Sequence, residues 1–331
     1  MSIIAHCKNL SWKTLGLTVI SANLIFNSNF NAYAQDTHSV VDRETAKELL
    51  LNGEKFNPIP GVHDPLSALI LEKQGGKFAV LSGYALSAAY YGKPDIGYVN
   101  ATDLVDTANR ITSATPNLAL IIDGDTGHGG PNQVRFLIQQ LERSEALGVM
   151  LEDQVSPKRC GHMEGKAVIP MKDQVAKIRA AVASRTDPNF IIIARTDARG
   201  VTGLDDAIIR ANAYRAAGAD MIFVEAPLSK EELKRIAKEV DAPLIANMLE
   251  GGKTPILSSE ELHNMGYNAA YYPLQHLNAA TTAMSNTYHA LITDQNGRVN
   301  TAPDAILFSD FNTLVGLDEA NHFEDDMHME K

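Results

Sequence analysis

Cysteine and tryptophan are almost missing from this chain: Cys7, Cys160 and Trp12 are the only ones in 331 residues. Two cysteines cannot supply a disulfide framework, so the fold must rest on its apolar core. Long basic runs are also missing. The formal net charge is −11, which argues against nucleic acid or an anionic membrane as a partner. No Gly-x-Gly-x-x-Gly turn follows the first strand-like run, which weakens a dinucleotide-binding reading. No linker, low-complexity stretch or domain boundary interrupts the chain after residue 58. What is present is ordinary globular composition, 45% hydrophobic and 21% charged, enough for one α/β barrel or two smaller domains.

The N-terminus reads differently from the rest. Lys8 and Lys13 precede an apolar stretch from Leu15 to Phe26, followed by Asn and Ser and then Ala32-Tyr33-Ala34. That is the layout of a secretory signal peptide cleaved after Ala34, and the stretch is too short to span a bilayer as a stable helix. The absence of Arg speaks against an organellar transit peptide. The expected organisation is therefore a leader over 1–34 and one domain over 35–331. The protein would be exported, periplasmic or secreted; a cytoplasmic enzyme with a buried N-terminal helix is the alternative. Cleavage would leave Cys160 as the only cysteine.

From Pro58 onward one theme repeats: a short apolar run, a polar residue or two, then an amphipathic helix. The runs are Ile59–His63, Phe78–Tyr84, Leu118–Thr126, Gly148–Gln154, Phe190–Ala198, Met221–Pro227, Pro243–Glu250 and Ala269–Leu274. They are nearly continuous rather than alternating, as parallel strands buried on both faces are. Helical patterns lie between them, at Met171–Ser184, Gly203–Ala217 and Lys230–Val240. Eight such units fit a (β/α)8 barrel better than an open doubly wound sheet. The segment from Asp304 to Lys331 reads as an acidic helical tail that packs on a partner subunit.

In such barrels the reactive groups line the C-terminal strand ends. Here those ends read Ser82-Gly83-Tyr84, Asp123-Gly-Asp125, Glu152-Asp153, Arg195-Thr-Asp197, Glu225 and Asn247. A single charged residue there is commonly a helix N-cap, and Asp197 is a fair candidate for that. Six successive polar ends converging on one mouth point instead to a shared site. The carboxylates of Asp123, Asp125, Glu152 and Asp153 offer only hard oxygen ligands, and no His pair has zinc spacing nearby. That favours Mg²⁺, with Mn²⁺ possible, completed by waters and substrate.

The fourth strand leads into Pro157-Lys158-Arg159-Cys160-Gly161-His162. A lone cysteine is usually an inert core residue. This one sits among Lys158, Arg159 and His162, which are expected to stabilise a thiolate and lower its pKa. Such a thiol can hand a proton to a carbanion and recover it. A nucleophilic or redox role is the rival.

At these residues the sequence resembles the isocitrate lyase and phosphoenolpyruvate mutase superfamily, whose lyase branch carries a Lys-Lys/Arg-Cys-Gly-His loop. The resemblance runs from about Pro58 to about Tyr288. It includes Pro60-Gly61-Val62-x-Asp64, Pro94-Asp95-x-Gly97, Glu152-Asp153-Gln154, Ala194-Arg195-Thr196-Asp197, Glu225-Ala226-Pro227 and Asn247-Met248-x-Glu250-Gly251-Gly252-Lys253-Thr254-Pro255. It implies a barrel whose last helix is exchanged between subunits, in a homodimer or homotetramer. It also implies that Asp123 and Asp125 hold the metal, with Asp95, Glu152 and Asp153 acting through its waters. Ser82, Gly83, Gly161, Arg195 and Asn247 would bind substrate, and Glu225 would support Arg195. Cys160 would be the catalytic acid, with His162 beside it and Tyr84 or Glu152 as base.

The implied activity is carbon–carbon lysis of a small 2-hydroxy or 2-oxo dicarboxylate, of the 2-alkylmalate or oxaloacetate type. Methylisocitrate lyase is the nearer alternative. Against it, this chain has Tyr84 in place of a second Gly, Leu249 in place of a Thr, and Asn278 in place of an Arg. Without those groups a third carboxylate is expensive to bury. A phosphonopyruvate or phosphoenolpyruvate mutase-type reaction is the other alternative, but that branch typically lacks the cysteine. A non-enzymatic binding or structural barrel would have no use for an acidic mouth beside a reactive thiol.

Overall fold

The computed structural model describes residues 42–293 and 305–328. The leader read over 1–34 lies outside the described residues. The elements run α1 (Arg43–Leu51), β1 (Asn57–Val62), α2 (Pro65–Lys73), β2 (Phe78–Leu81), α3 (Gly83–Tyr91), α4 (Ala101–Ala114), β3 (Ala119–Asp123), α5 (Pro131–Arg143), β4 (Gly148–Glu152) and α6 (Met171–Ser184). They continue through β5 (Ile191–Thr196), α7 (Leu204–Ala216), β6 (Met221–Val224), α8 (Lys230–Glu239), β7 (Leu244–Asn247), α9 (Ser259–Met265), β8 (Ala269–Tyr272), α10 (Gln275–Thr293), α11 (Phe308–Leu314) and α12 (Leu317–His328). The eight strands pair in sequence order, all parallel, and close as β8 pairs with β1 from Asn57↔Ala269 to Pro60↔Tyr272. The fold is a (β/α)8 barrel, as the alternation of apolar runs and helices predicts.

Burial on both faces of the strands produces two cores. Inside the barrel, Ile59, Phe78, Val80, Ile121, Met150, Ile193, Phe223, Ile245 and Tyr271 fill the interior. Outside it, Leu81, Ile122, Leu151, Ile192 and Ile222 pack against helix residues such as Leu104, Leu137, Ile178, Ile208 and Leu233. This two-sided burial explains why the strands read as continuous apolar runs.

The strands end one to three residues earlier than the sequence runs suggest, because the polar residues at their C-terminal ends already belong to turns and caps. Ser82 is the clearest case. Its hydroxyl accepts the Ala85 N–H at 3.3 Å and caps α3, so Tyr84 is helical. The residues just before β1 contribute to the core. Helix α1 sends Ala46 and Leu50 into the barrel's inner core, and Arg43 pairs with Asp187 at 2.9 Å.

The helix that follows β8 behaves unlike the helices between the strands. None of the residues of α10 is buried, and Met284, Tyr288, Leu291 and Ile292 are exposed. The tail is helical as expected; α11 and α12 contact each other and also expose Phe308, Phe323 and Met327.

Candidate active site

Ser82, Tyr84, Asp95, Asp123, Cys160, Gly161, His162, Arg195, Glu225 and Asn247 line a single pocket at the C-terminal mouth of the barrel. Each strand end supplies its group in a way that local geometry explains. Gly83, the first residue of α3, lies so close to the acidic strand end that a Cβ there would stand 3.2 Å from Asp123 Oδ2 and 3.3 Å from Asp125 Oδ1. Its N–H donates to Asp123 Oδ2 at 3.3 Å. Asp125 adopts a left-handed φ of 49°, a conformation that a short polar side chain tolerates better than a branched one.

The loop after β4 folds over this mouth as a lid. Gln154 clamps its start, donating to Arg159 O at 2.8 Å and accepting from Arg159 N at 3.0 Å. Cys160 N donates to the backbone oxygen of Asp95 at 3.1 Å. The Lys158 ammonium is buried between Asp95 Oδ1 at 2.5 Å and Asp125 Oδ1 at 2.7 Å. His162 Nδ1 accepts the Lys253 N–H at 2.8 Å, which leaves Nε2 as the protonated nitrogen, 3.2 Å from Glu225 Oε1. Lys166 Nζ donates to Gly161 O and pairs with Asp197 Oδ1 at 2.9 Å.

Behind the pocket Arg195 gathers three carboxylates. Its Nη2 lies 3.2 Å from both Glu152 Oε2 and Glu225 Oε2, and its Nε donates to Asp197 Oδ2 at 2.9 Å. Nη1 is in none of these contacts. Burial would raise the Glu225 carboxyl, but Arg195 and the His162 hydrogen bond outweigh it and hold it well below the usual carboxylate range. Ala226, at φ 56°, turns its N–H back onto Glu225 Oε1 at 2.9 Å. Glu152 is shifted the other way: burial raises it well above the ordinary value and Arg195 only partly offsets that.

A family model described as phosphoenolpyruvate phosphomutase matches residues 47–292, which is most of the barrel. The chain belongs to that family. Within the phosphoenolpyruvate phosphomutase family it is 42% identical to the petal death protein of Dianthus caryophyllus, over 88% of this chain and 92% of that one. It is 40% identical to 2,3-dimethylmalate lyase of Eubacterium barkeri, over 83% of this chain and 94% of that one. Among solved structures, oxaloacetate acetylhydrolase in complex with the inhibitor 3,3-difluorooxalacetate superposes with a TM-score of 0.82 at 32% identity, covering 87% of this chain and 97% of that one. The chain is a lyase of this superfamily.

Several residues take other places than the sequence suggests. Asp153 does not join the acidic mouth. Its carboxylate accepts from Thr196 Oγ1 at 2.8 Å, Asp197 N at 2.9 Å and Tyr214 Oη at 2.8 Å, and it pairs with Arg210 at 3.2 Å. Successive residues on a strand point to opposite faces, so Glu152 turns inward and Asp153 ties β5 to α7. Asp197 precedes a short 3₁₀ turn but makes no side-chain cap bond; it is the shared counter-ion of Arg195 and Lys166. Leu249 lines the pocket, whereas Asn278 sits in a separate groove with Glu250 and Gln275.

The expected activation of Cys160 is reversed. Burial pushes its thiol up to about 11; the hydrogen bond from the His162 backbone opposes this, and Asp95 and Glu225 add to it. The Lys158 cation, expected to lower it, is spent on Asp95 and Asp125 instead. Cys160 is therefore held as a neutral thiol. Lys166 and Tyr271, which sequence spacing does not single out, reach the site by tertiary folding alone.

The residues fit a hard divalent ion. Glu152 Oε1 is buried without a hydrogen-bond partner, and Asp123 Oδ2 and Asp125 Oδ1 both face Gly83, 3.2 and 3.3 Å from where its Cβ would stand. Among the described residues no three His, Cys, Asp or Glu side chains converge as a complete ligand set. Mg²⁺ commonly takes only one or two carboxylates and fills its octahedron with water and substrate.

Proposed function

We propose that this protein is a Mg²⁺-dependent lyase that cleaves a carbon–carbon bond in a small 2-hydroxy or 2-oxo dicarboxylate of the 2-alkylmalate or oxaloacetate type, with Cys160 as proton donor. The observation that carries this reading is the pairing of a neutral, lid-borne thiol with an acidic mouth and a guanidinium in one pocket. Asp123 and Asp125 would hold the ion, with Asp95 and Glu152 reaching it through water. Bound there, Mg²⁺ would act as a Lewis acid toward the substrate.

For a 2-alkylmalate the chain's residues would act as follows. Arg195 and Asn247 bind and orient the dicarboxylate, and the lid excludes water. The 2-hydroxyl gives its proton to a base in the pocket, carbon 2 becomes a carbonyl, and the bond from carbon 2 to carbon 3 breaks. The electron pair passes to carbon 3 as an aci-carboxylate, and Cys160 delivers its proton there. A 2-oxo acid and a simple carboxylate result. Of the two base candidates, Tyr84 lines the pocket and Glu152 is buried against Arg195. The wall of Leu249, Pro273 and Leu274 offers apolar surface for an alkyl group and no cation for a third carboxylate. The names of the relatives, 2,3-dimethylmalate lyase and oxaloacetate acetylhydrolase, point to the same substrate class.

The bare apolar surface of α10 and the tail supports a homo-oligomer, dimer or tetramer, in which α10 packs on a neighbouring barrel. The layout of residues 1–34 supports export. The deciding experiment for the activity compares oxaloacetate, 2-alkylmalates, 2-methylisocitrate and phosphonopyruvate with Mg²⁺ present. Higher kcat/KM on the first two is expected; preference for 2-methylisocitrate or for phosphonopyruvate would overturn the reading.

A further inference from the structure

The floor of the pocket is built from Val80, Met150, Phe223 and Tyr271, which also belong to the barrel's inner core. Three of these are purely apolar. Tyr271 adds one hydroxyl to the layer, and that oxygen is buried with no hydrogen-bond partner. The residue is 3% exposed. Its ring is fixed edge-on against Phe223, at 5.8 Å between centroids and 78° between planes. Phe223 in turn carries the Arg195 guanidinium 5.5 Å over its face. On the neighbouring strand Tyr271 stands in register with Asn247.

A buried hydroxyl without a partner destabilises a fold relative to the same site filled by phenylalanine. This one lines the floor of a pocket whose walls are Asp123, Arg195 and Asn247. We infer that Tyr271 is a substrate-binding residue whose hydroxyl donates a hydrogen bond to an oxygen of the small carboxylate bound in this pocket. The inference rests on the proposed lyase reading, which supplies the ligand's chemistry. Burial raises the phenol above its ordinary value, with Asp123 adding to the effect, so the group stays a donor. A donor on the floor would turn an oxygen-bearing end of the substrate downward.

The test measures oxalate binding by calorimetry, with Mg²⁺, for the wild type and Tyr271→Phe, alongside thermal unfolding of both without oxalate. A donor lost to a charged acceptor is expected to weaken oxalate about tenfold. The melting temperature without oxalate should be unchanged or higher, because no internal bond is removed. Equal oxalate affinity would overturn the inference. So would a lower melting temperature with unchanged affinity, which would place a buried water or protein group as the hydroxyl's partner. If the wild type neither binds oxalate nor cleaves any of the dicarboxylates, the proposed function falls and this inference with it. A wild type that binds oxalate beside a variant that binds equally well removes the inference alone.

Discussion

Gly161 lies against Glu225 so closely that a Cβ on the glycine would stand 2.4 Å from Glu225 Cγ and 2.5 Å from its Cδ. No side-chain rotation clears that approach, because Glu225 is pinned by Arg195, His162 and the Ala226 N–H. The lid can close over the pocket only if this position has no side chain. Gly161→Ala is therefore expected to fold normally and to lose at least about 100-fold in kcat/KM, the scale of a displaced catalytic group. Alkylation of Cys160, followed on its peptide by mass spectrometry, should become faster as the lid stays open. Normal turnover in this variant would show that closure does not need the contact.

Cys160 is expected to work as an acid across the physiological range. With its thiol pushed up to about 11, the proton-bearing form persists as pH rises and is lost only near that value. A low-pKa thiol would instead lose its proton near neutrality. Iodoacetamide should thus react slowly at pH 8, and Cys160→Ser should lower turnover by about 10²- to 10⁴-fold without affecting Mg²⁺ binding. Fast alkylation at pH 7 would contradict the assignment.

Mg²⁺ affinity should depend on pH through Asp125. Burial pushes this carboxyl up to about 7, against the pull of Lys158. Above that pH the carboxylate is ionised and can ligate in exchange for its contact with Lys158; below it protons compete with the ion. The apparent dissociation constant is expected to rise as pH falls from 8 to 6, and Asp125→Asn should flatten the dependence along with activity. EDTA should silence the wild type reversibly. A dissociation constant indifferent to pH would remove Asp125 from the ion's shell.

Asp153 is expected to matter for stability rather than for metal. Its carboxylate is buried among Thr196, Arg210 and Tyr214, and removing one partner of a buried charge network commonly destabilises by about 3–5 kcal/mol. Asp153→Asn should lower the melting temperature while leaving Mg²⁺ affinity near the wild-type value. The opposite pattern would return Asp153 to the metal site.

Export is tested on protein purified from producing cells. Cleavage after Ala34 removes Trp12, so the mature enzyme should show tyrosine but no tryptophan fluorescence. An intact mass that retains Met1 on the active enzyme would exclude cleavage.

The eight strands and the acidic mouth were legible in the sequence for a physical reason. A strand buried on both faces must be apolar throughout, so the run itself marks the strand, and a polar residue stopping it marks the barrel's reactive end. Met171–Ser184 is helical at both expected bounds because its boundaries are local properties. Proximity in three dimensions is not local. That Lys158 neutralises Asp95 and Asp125 rather than Cys160, that Lys166 reaches Asp197 across the lid, and that Tyr271 from the last strand lies on the floor between distant segments depend on barrel closure. The direction of the Cys160 shift follows from the same cause. Its neighbours in sequence are cations, but its environment in the folded protein is dominated by loss of water, which only tertiary packing imposes.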